Sequence, residues 1–130
     1  MEILYTDTNV FLRLLLQDNL KQVGVVEKNF ILAKKGEIEI ACVSEIIPEL
    51  VYVLLKVYKV SRDEVARYIN IIIKTPYFNV EQRNIWVQVM KIYPQINIDV
   101  ADIFLAVKAQ NGGGKVFSFD ADFKKLVKFL

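Results

Sequence analysis

The sequence contains no histidine and one cysteine, Cys42, and both absences limit the chemistry open to the chain. Without histidine there can be no Ser-His or Cys-His nucleophilic pair, no imidazole general base and no imidazole metal ligand. With one cysteine, neither an intrachain disulfide nor a cysteine-rich zinc site can form, and we expect Cys42 to be a small core residue. Any catalysis must rely on carboxylates, lysines, hydroxyl groups or a bound metal ion.

Long apolar runs and a strong net charge are also lacking. The longest apolar run, residues 50–55, lies between Glu49 and Lys56 and is far shorter than the roughly 18 residues that span a bilayer. The first residues, with Glu2 and no basic stretch, do not resemble a secretion signal. A formal charge of +2 does not by itself argue for nucleic-acid binding. We therefore expect a soluble, cytoplasmic protein without membrane contact.

What the chain does have is an alternation of strands and helices in 130 residues, enough for one domain. The pattern predicts strands at residues 2–6, 37–43 and 115–119, with a short extended piece at 77–81. It predicts helices at residues 9–17, 21–35, 44–58, 61–74, 83–93 and 99–110, and a last one opening at residue 120. This alternation indicates one α/β domain over residues 1–130, with a central parallel sheet flanked by helices on both faces.

Acidic residues follow the predicted strands. Asp7 comes after the first strand, Asp120 and Asp122 come after the last one, and Asp99 and Asp102 open a helix. In open α/β sheets, ligands bind beyond the carboxyl ends of the strands, where the strand order reverses. Taken singly, each of these aspartates is explained as a helix cap or a favourable charge in a first helical turn. Taken together, they predict an acidic rim on the sheet.

Glu49 does not fit the capping explanation. Its segment, residues 46–58, is rich in Ile, Leu, Val and Tyr, so we expect this helix to be buried over most of its circumference. A buried ionised carboxylate is costly unless it is paired or binds a metal. Lys56 lies seven residues along, which is too far for an intrahelical pair. We therefore expect Glu49 to find a partner from elsewhere in the fold.

Convergence of Asp7, Glu49, Asp102 and Asp120 would require a cation. Two like charges about 4 Å apart repel by about 4 kcal/mol at an effective dielectric constant near 20. A cluster of oxygen ligands selects hard cations such as Mg²⁺ or Mn²⁺. Such a site suits phosphodiester hydrolysis, because the metal lowers the pKa of its bound water and stabilises the developing charge. The lack of histidine does not hinder this mechanism.

Four segments resemble the acidic signatures of the PIN-domain ribonucleases, and most of all those of the VapC toxins. They are YTDTNVFLRLLL at the start, SEIIPELVYVL at 44–54, DVADIFLAVKA at 99–109 and VFSFDADF at 116–123. Their order and spacing agree with the family over essentially the whole chain. The resemblance implies an endoribonuclease dependent on Mg²⁺ or Mn²⁺, a homodimer, and an antitoxin protein that inhibits it.

The resemblance also implies roles for particular residues. Asp7, Glu49, Asp102 and Asp120 match the catalytic metal-ligand positions, and Asp99 and Asp122 match auxiliary acidic positions. Two polar residues, Asn9 and Ser118, match supporting positions and would orient carboxylates. Arg13 is four residues after Asn9 on the same helical face, where it would meet a substrate phosphate or lie as an ordinary surface arginine.

Two other classes of protein remain open. A receiver domain or a haloacid-dehalogenase-like phosphatase also gathers acids at the rim of a parallel sheet. The phosphatase pattern, however, needs an aspartate where Asn9 stands, and neither class places a glutamate at position 49. The second alternative is a non-enzymatic PIN-like binding module whose acids are helix caps. Affinity for Mn²⁺ separates that module from a nuclease.

Overall fold

The computed structural model describes all 130 residues and contains one sheet of three parallel strands. The strands are β1 (Glu2–Tyr5), β2 (Ile38–Cys42) and β3 (Phe78–Val80), in the order β1-β2-β3. Their register places Leu4 beside Ile40 and Ile40 beside Phe78. The carboxyl ends of the three strands therefore lie side by side, and the predicted parallel α/β sheet is confirmed.

Seven α-helices surround this sheet, close to the predicted bounds. They are α1 (Thr8–Leu16), α2 (Leu20–Lys34), α3 (Ile46–Tyr52), α4 (Arg62–Ile73), α5 (Arg83–Ile92), α6 (Val100–Asn111) and α7 (Asp122–Leu126). A π-helical turn, Val53–Val57, extends α3, and 3-10 turns follow α5 at Tyr93–Gln95 and α7 at Val127–Phe129. None of these helices combines the length and the apolar character needed to cross a bilayer.

Side-chain caps fix where four of the helices begin. Asp7, Asn19, Ser61 and Asp99 each accept a hydrogen bond from a backbone N–H in the following turn, at 3.0 to 3.2 Å. These bonds satisfy amide groups that have no partner inside the helix. Ser61 and Asp99 thus have the capping role that their sequence context predicts.

The core is centred on β2. Ile40, Ala41 and Cys42 are consecutive and all buried. Because neighbouring side chains of a strand point to opposite faces, both faces of β2 must be covered, as predicted. On one side Phe11, Phe30 and Phe78 meet edge to face or tilted, with ring centroids 4.8 to 6.3 Å apart.

The predicted strand at residues 115–119 is wrong. This segment has no strand structure, and Phe117 and Phe119 are 91% and 99% exposed. The N–H groups of the three glycines before it bond back to the carbonyls at the end of α6, which holds the chain against that helix. Near the end of the segment, Ser118 Oγ accepts a hydrogen bond from the N–H of Asp120. Such local bonds compete with strand pairing.

The sheet consequently has no reversal of strand order. The order β1-β2-β3 advances in one direction, whereas a strand added beyond β1 would have created the expected switch point. The outer edge of β1 is left without a strand partner, and its Ile3 and Tyr5 side chains are exposed.

Arg83 ties together the chain on either side of β3. Its Nη1 donates to the carbonyls of Ile73 and Thr75 at 2.7 and 2.9 Å, and its Nη2 donates to the carbonyl of Phe78. One guanidinium therefore satisfies three carbonyls between the end of α4 and β3. Hydrogen bonds of this charged kind contribute more than neutral ones.

We expect Arg83→Met to lower the free energy of unfolding by about 2 to 4 kcal/mol, because three half-buried carbonyls would lose their donor. Arg67→Met is the matched control. Arg67 lies on α4 and pairs with Glu64 at 2.8 Å, but both side chains are about half exposed, so the loss should be much smaller than that of Arg83→Met. Urea denaturation of both variants measures the difference. An equal decrease in the free energy of unfolding for both variants would show that the hydrogen bonds of Arg83 to the three carbonyls stabilise the fold no more than the exposed ion pair of Arg67 does.

Candidate functional site

The half-buried carboxylate of Asp102, in the first turn of α6, is the centre of an acidic cluster. Partial burial raises the pKa of Asp102, and the charges of Asp99, Asp120 and Asp122 raise it further. We call these four aspartates the Asp102 cluster. They are four of the six acidic residues that the sequence analysis predicts as metal ligands. Their negative charges create a negative electrostatic potential where α6 begins and α7 approaches it.

Two local turns position Asp120, which comes before α7, and Asp122, which is the first residue of α7. The N–H of Asp120 donates to Ser118 Oγ at 3.0 Å, and the N–H of Asp122 donates to Asp120 Oδ1 at 2.9 Å. Ser118 therefore does orient an acidic residue, although it does so through the backbone. Asp122 also pairs with Lys125, with Nζ and Oδ1 3.3 Å apart. The last helix begins at Asp122 and not at Asp120 as expected, because the Asp120 side chain closes the turn before it.

Asp7 lies at the carboxyl end of β1, as predicted, and is exposed. Its Oδ1 accepts the N–H of Val10 at 3.2 Å, which makes it the cap of α1. Together with Asn9 and Arg13 it lines a surface recess of about 510 Å³. The Asn9 side chain makes no hydrogen bond to a carboxylate. Arg13 is already paired, with its Nη1 2.5 Å from Asp18 Oδ1.

The expectation that Glu49 is buried is wrong. Glu49 is exposed, and its side chain makes no hydrogen bond or salt bridge within the chain. The helix α3 buries Ile47, Leu50 and Val51, but it leaves Glu49 and Tyr52 toward solvent. Residues 46–58 are mostly apolar, and this composition did not reveal that one side of the helix faces solvent. The structure thus removes the argument from burial, and Glu49 remains a candidate only through its match to the family motif.

The predicted acids do not form one compact group of ligands. Asp7 lines one recess, Asp120 and Ser118 line a second near the end of α6, and Asp99 lines a third beside α3. No group of three or more histidine, cysteine, aspartate or glutamate side chains lies close enough to hold a metal ion. A divalent cation nevertheless suits the Asp102 cluster chemically, because its donors are all oxygens and their repulsion already raises the pKa of Asp102.

A polar network at the ends of β2 and β3 is missing from the sequence-based prediction. Ser44 Oγ donates to Gln82 Oε1 at 2.7 Å and accepts from Trp86 Nε1 at 2.9 Å, while the N–H of Ser44 donates to Glu81 Oε1 at 3.3 Å. Glu81 follows β3 as Asp7 follows β1. This position after a strand is the sequence feature from which the polar network could have been predicted. The network fixes the strand ends beside the acidic rim.

Cys42 has the structural role that we expect. It is 1% exposed, and burial, with the charge of Glu81 as a smaller cause, raises the pKa of its thiol to about 12. A thiol with so high a pKa stays protonated at neutral pH and is a poor nucleophile.

Comparison with known proteins now defines the family. The family model described as PIN domain matches residues 4–128. The chain belongs to the PIN-domain family. A VapC ribonuclease of Aquifex aeolicus (strain VF5) is 35% identical over 122 residues, which cover 92% of this chain and 89% of that protein. No solved structure matches the chain.

The match to the PIN-domain model spans the whole set of candidate acidic residues. The matched residues include all of the candidate acids, from Asp7 to Asp122. The match decides against the receiver and phosphatase alternatives, since the PIN domain occupies essentially the entire chain.

The Asp102 cluster predicts a pH-dependent stability. Because the folded state raises the pKa of Asp102, it holds that proton more tightly than the unfolded chain does. The carboxylate therefore disfavours folding above its raised pKa, and this effect disappears as the pH falls below the ordinary aspartate pKa. We expect Asp102→Asn to raise Tm at pH 7 and to lose that advantage near pH 3, measured by thermal melts of both proteins.

The matched control is Asp63→Asn, because Asp63 occupies the first turn of α4 as Asp102 occupies that of α6. Both substitutions remove a favourable interaction with a helix dipole, but only Asp102 has three aspartates near it. The control should keep or lower Tm at pH 7. A fall in Tm for both variants would contradict the repulsion.

Proposed function

We propose that this PIN domain is a metal-dependent endoribonuclease of the VapC type, which hydrolyses phosphodiester bonds in RNA. The observation that carries the proposal is the position of Asp102: burial, and then the charges of Asp99, Asp120 and Asp122, raise the pKa of its carboxyl, and such a group of carboxylates favours a cation. The name of the 35% identical relative, VapC ribonuclease, supports the reaction and the RNA substrate.

The proposed metal is Mg²⁺ or Mn²⁺. Asp7, Glu49, Asp102 and Asp120 are proposed as its catalytic ligands, with Asp99 and Asp122 as auxiliary ones. When bound, the ion would activate a water molecule and stabilise the charge that develops on the phosphate. Of the other three, only Asp120 has a charge that acts on the Asp102 carboxyl. Asp7 and Glu49 would have to approach this pair from the ends of β1 and β2.

The remaining roles belong to the chain itself. Without histidine, no imidazole can accept the proton of the attacking water, and the carboxylates of the site are the available acceptors. Ser118 positions Asp120 through the backbone. Asn9 is proposed to orient Asp7, and the N–H groups of Arg13 that do not face Asp18 are proposed to meet a substrate phosphate.

Cleavage of a long structured RNA tests the proposal directly. We expect cleavage with Mn²⁺ or Mg²⁺ and none with EDTA. Asp102→Asn and Asp7→Asn should each lower the rate about 100-fold or more, because removal of a ligand costs several kcal/mol of transition-state stabilisation. The matched control is Asp63→Asn, an aspartate of α4 outside the acidic rim. Cleavage that persists in EDTA, or that survives both substitutions, would contradict the proposal.

We also propose the partners that a VapC role brings: an antitoxin protein that inhibits cleavage, and a second copy of this chain in a homodimer in the cytoplasm. The high hydrophobic content, 54%, and exposed apolar side chains such as Leu20, Val57 and Val127 support association with other chains. Sedimentation equilibrium of the isolated protein would give a mass near 30 kDa for a dimer, twice the 15.0 kDa of the chain.

One observation favours the second candidate, a non-enzymatic binding module. No group of three or more possible ligands lies close enough to hold a metal, and Asp7 and Asp99 both have roles as helix caps. In that case the acids are structural, and the apolar surface is the functional part. A binding module would show no affinity for Mn²⁺, whereas the nuclease requires it.

A further inference from the structure

The recess near the end of α6 that Ser118 and Asp120 line has a volume of about 490 Å³, within the size range of small-ligand sites. Three parts of the chain enclose it: the second half of α6, the segment from residue 114 to residue 120, and α7 with its 3-10 turn. Half of the lining residues are apolar, among them Val116, Phe123 and Val127. We call this space the Lys124 recess.

Residues of the segment before Asp120 alternate between the recess and the opposite side. Val116 and Ser118 line the recess, whereas Phe117 and Phe119 do not and are almost fully exposed. Such alternation is typical of an extended chain. Ser118 Oγ accepts the N–H of Asp120, and its own proton has no acceptor within the chain. The segment therefore gives the recess one apolar side chain and one free hydroxyl donor.

Two lysines bring positive charge to the recess. Lys115 and Lys124 both line it and are exposed, and neither side chain makes a hydrogen bond or a salt bridge within the chain. The next lysine along, Lys125, does not line the recess and pairs with Asp122. Asp120 is the one side-chain carboxylate on the walls. The flexible stem of lysine lets its ammonium group reach a phosphate, so the recess combines an apolar surface with two unpaired cations.

The Lys124 recess adjoins the Asp102 cluster through Asp120. This aspartate lines the recess, and its charge is one of those that raise the pKa of Asp102. The recess therefore opens beside the carboxylates that the proposed function assigns to the metal ion. A strand of RNA with one phosphate at the cluster can thus place an adjoining nucleotide at the recess.

We propose that the Lys124 recess binds one nucleotide of the RNA substrate, beside the bond that is cleaved. Lys115 and Lys124 pair with its phosphate, and the base packs against Val116, Phe123 and Val127. Because apolar contact is open to the face of any base, we expect little preference among the four bases. The inference rests on the proposed ribonuclease function, because that function supplies the RNA.

Nucleotide titration in EDTA tests the recess without requiring a metal ion or cleavage. We expect 5′-AMP to shift the amide signals of Ala109, Gly114 and Val116 in the NMR spectrum of ¹⁵N-labelled protein. Ribose 5-phosphate, which lacks the base, should bind about tenfold more weakly than 5′-AMP. Lys124→Met should weaken AMP binding about fivefold and leave the binding of adenosine, which has no phosphate, unchanged. The fold should tolerate this substitution, since Lys124 is exposed and unpaired.

Lys128→Met is the matched control, because Lys128 lies in the 3-10 turn after α7, is exposed and does not line the recess. It removes the same charge and should change the Kd of AMP by less than about twofold, since screening weakens distant charges. Equal weakening by both substitutions would overturn the inference, as would AMP shifts that map elsewhere. Equal Kd values for AMP and ribose 5-phosphate would also overturn it, because the base would then make no contact.

Cleavage kinetics separate this inference from the proposed function. If RNA is cleaved, Lys124→Met should raise KM about fivefold and leave kcat near that of the wild type, because the lysine binds a phosphate beside the broken bond. Cleavage with an unchanged KM would overturn the nucleotide site and leave the nuclease standing. AMP binding at the recess without RNA cleavage would contradict the nuclease and leave the nucleotide site standing.

Discussion

The position of β2 between β1 and β3 is the constraint on which the rest of the structure depends. All pairings are parallel and in register, so Tyr5, Cys42 and Val80 end their strands at the same edge of the sheet. The residues just beyond the three strand ends are therefore brought to one edge: Asp7 after β1, Ser44 after β2 and Glu81 after β3. The polar bonds of Ser44 to Glu81 and Gln82 fix two of these ends to each other.

Repulsion among carboxylates is the main electrostatic feature where α6 begins. The chain holds Asp99, Asp120 and Asp122 by bonds between side chain and backbone, and it gives Asp102 no cationic partner, although Asp122 has Lys125. Local turns of this kind fix charged groups near one another at a cost in stability. That arrangement is typical of functional sites, where stability is given up for chemistry.

Much of the fold is predictable from sequence because it depends on local signals. Hydrophobic periodicity places the helices, Ser61 and Asp99 cap two of them, and alternation with strands implies the parallel sheet. The failures arise where distant or competing interactions decide. Residues 115–119 alternate like a strand, but glycine contacts to α6 and the Ser118 turn hold them elsewhere. Glu49 was expected inside because composition does not reveal which stripe of a helix faces solvent. The carbonyl partners of Arg62 lie more than 30 residues away in sequence, so no local pattern predicts these hydrogen bonds.

Direct titration with Mn²⁺ tests the central claim, that the crowded carboxylates around Asp102 hold a divalent cation. The measurement is electron paramagnetic resonance of free Mn²⁺ in the presence of the wild-type protein, Asp102→Asn and Asp63→Asn. The account predicts saturable binding by the wild type and by Asp63→Asn, and a loss of at least tenfold in affinity for Asp102→Asn. No saturable binding, or equal affinity for all three proteins, would contradict it and return the aspartates to the role of helix caps.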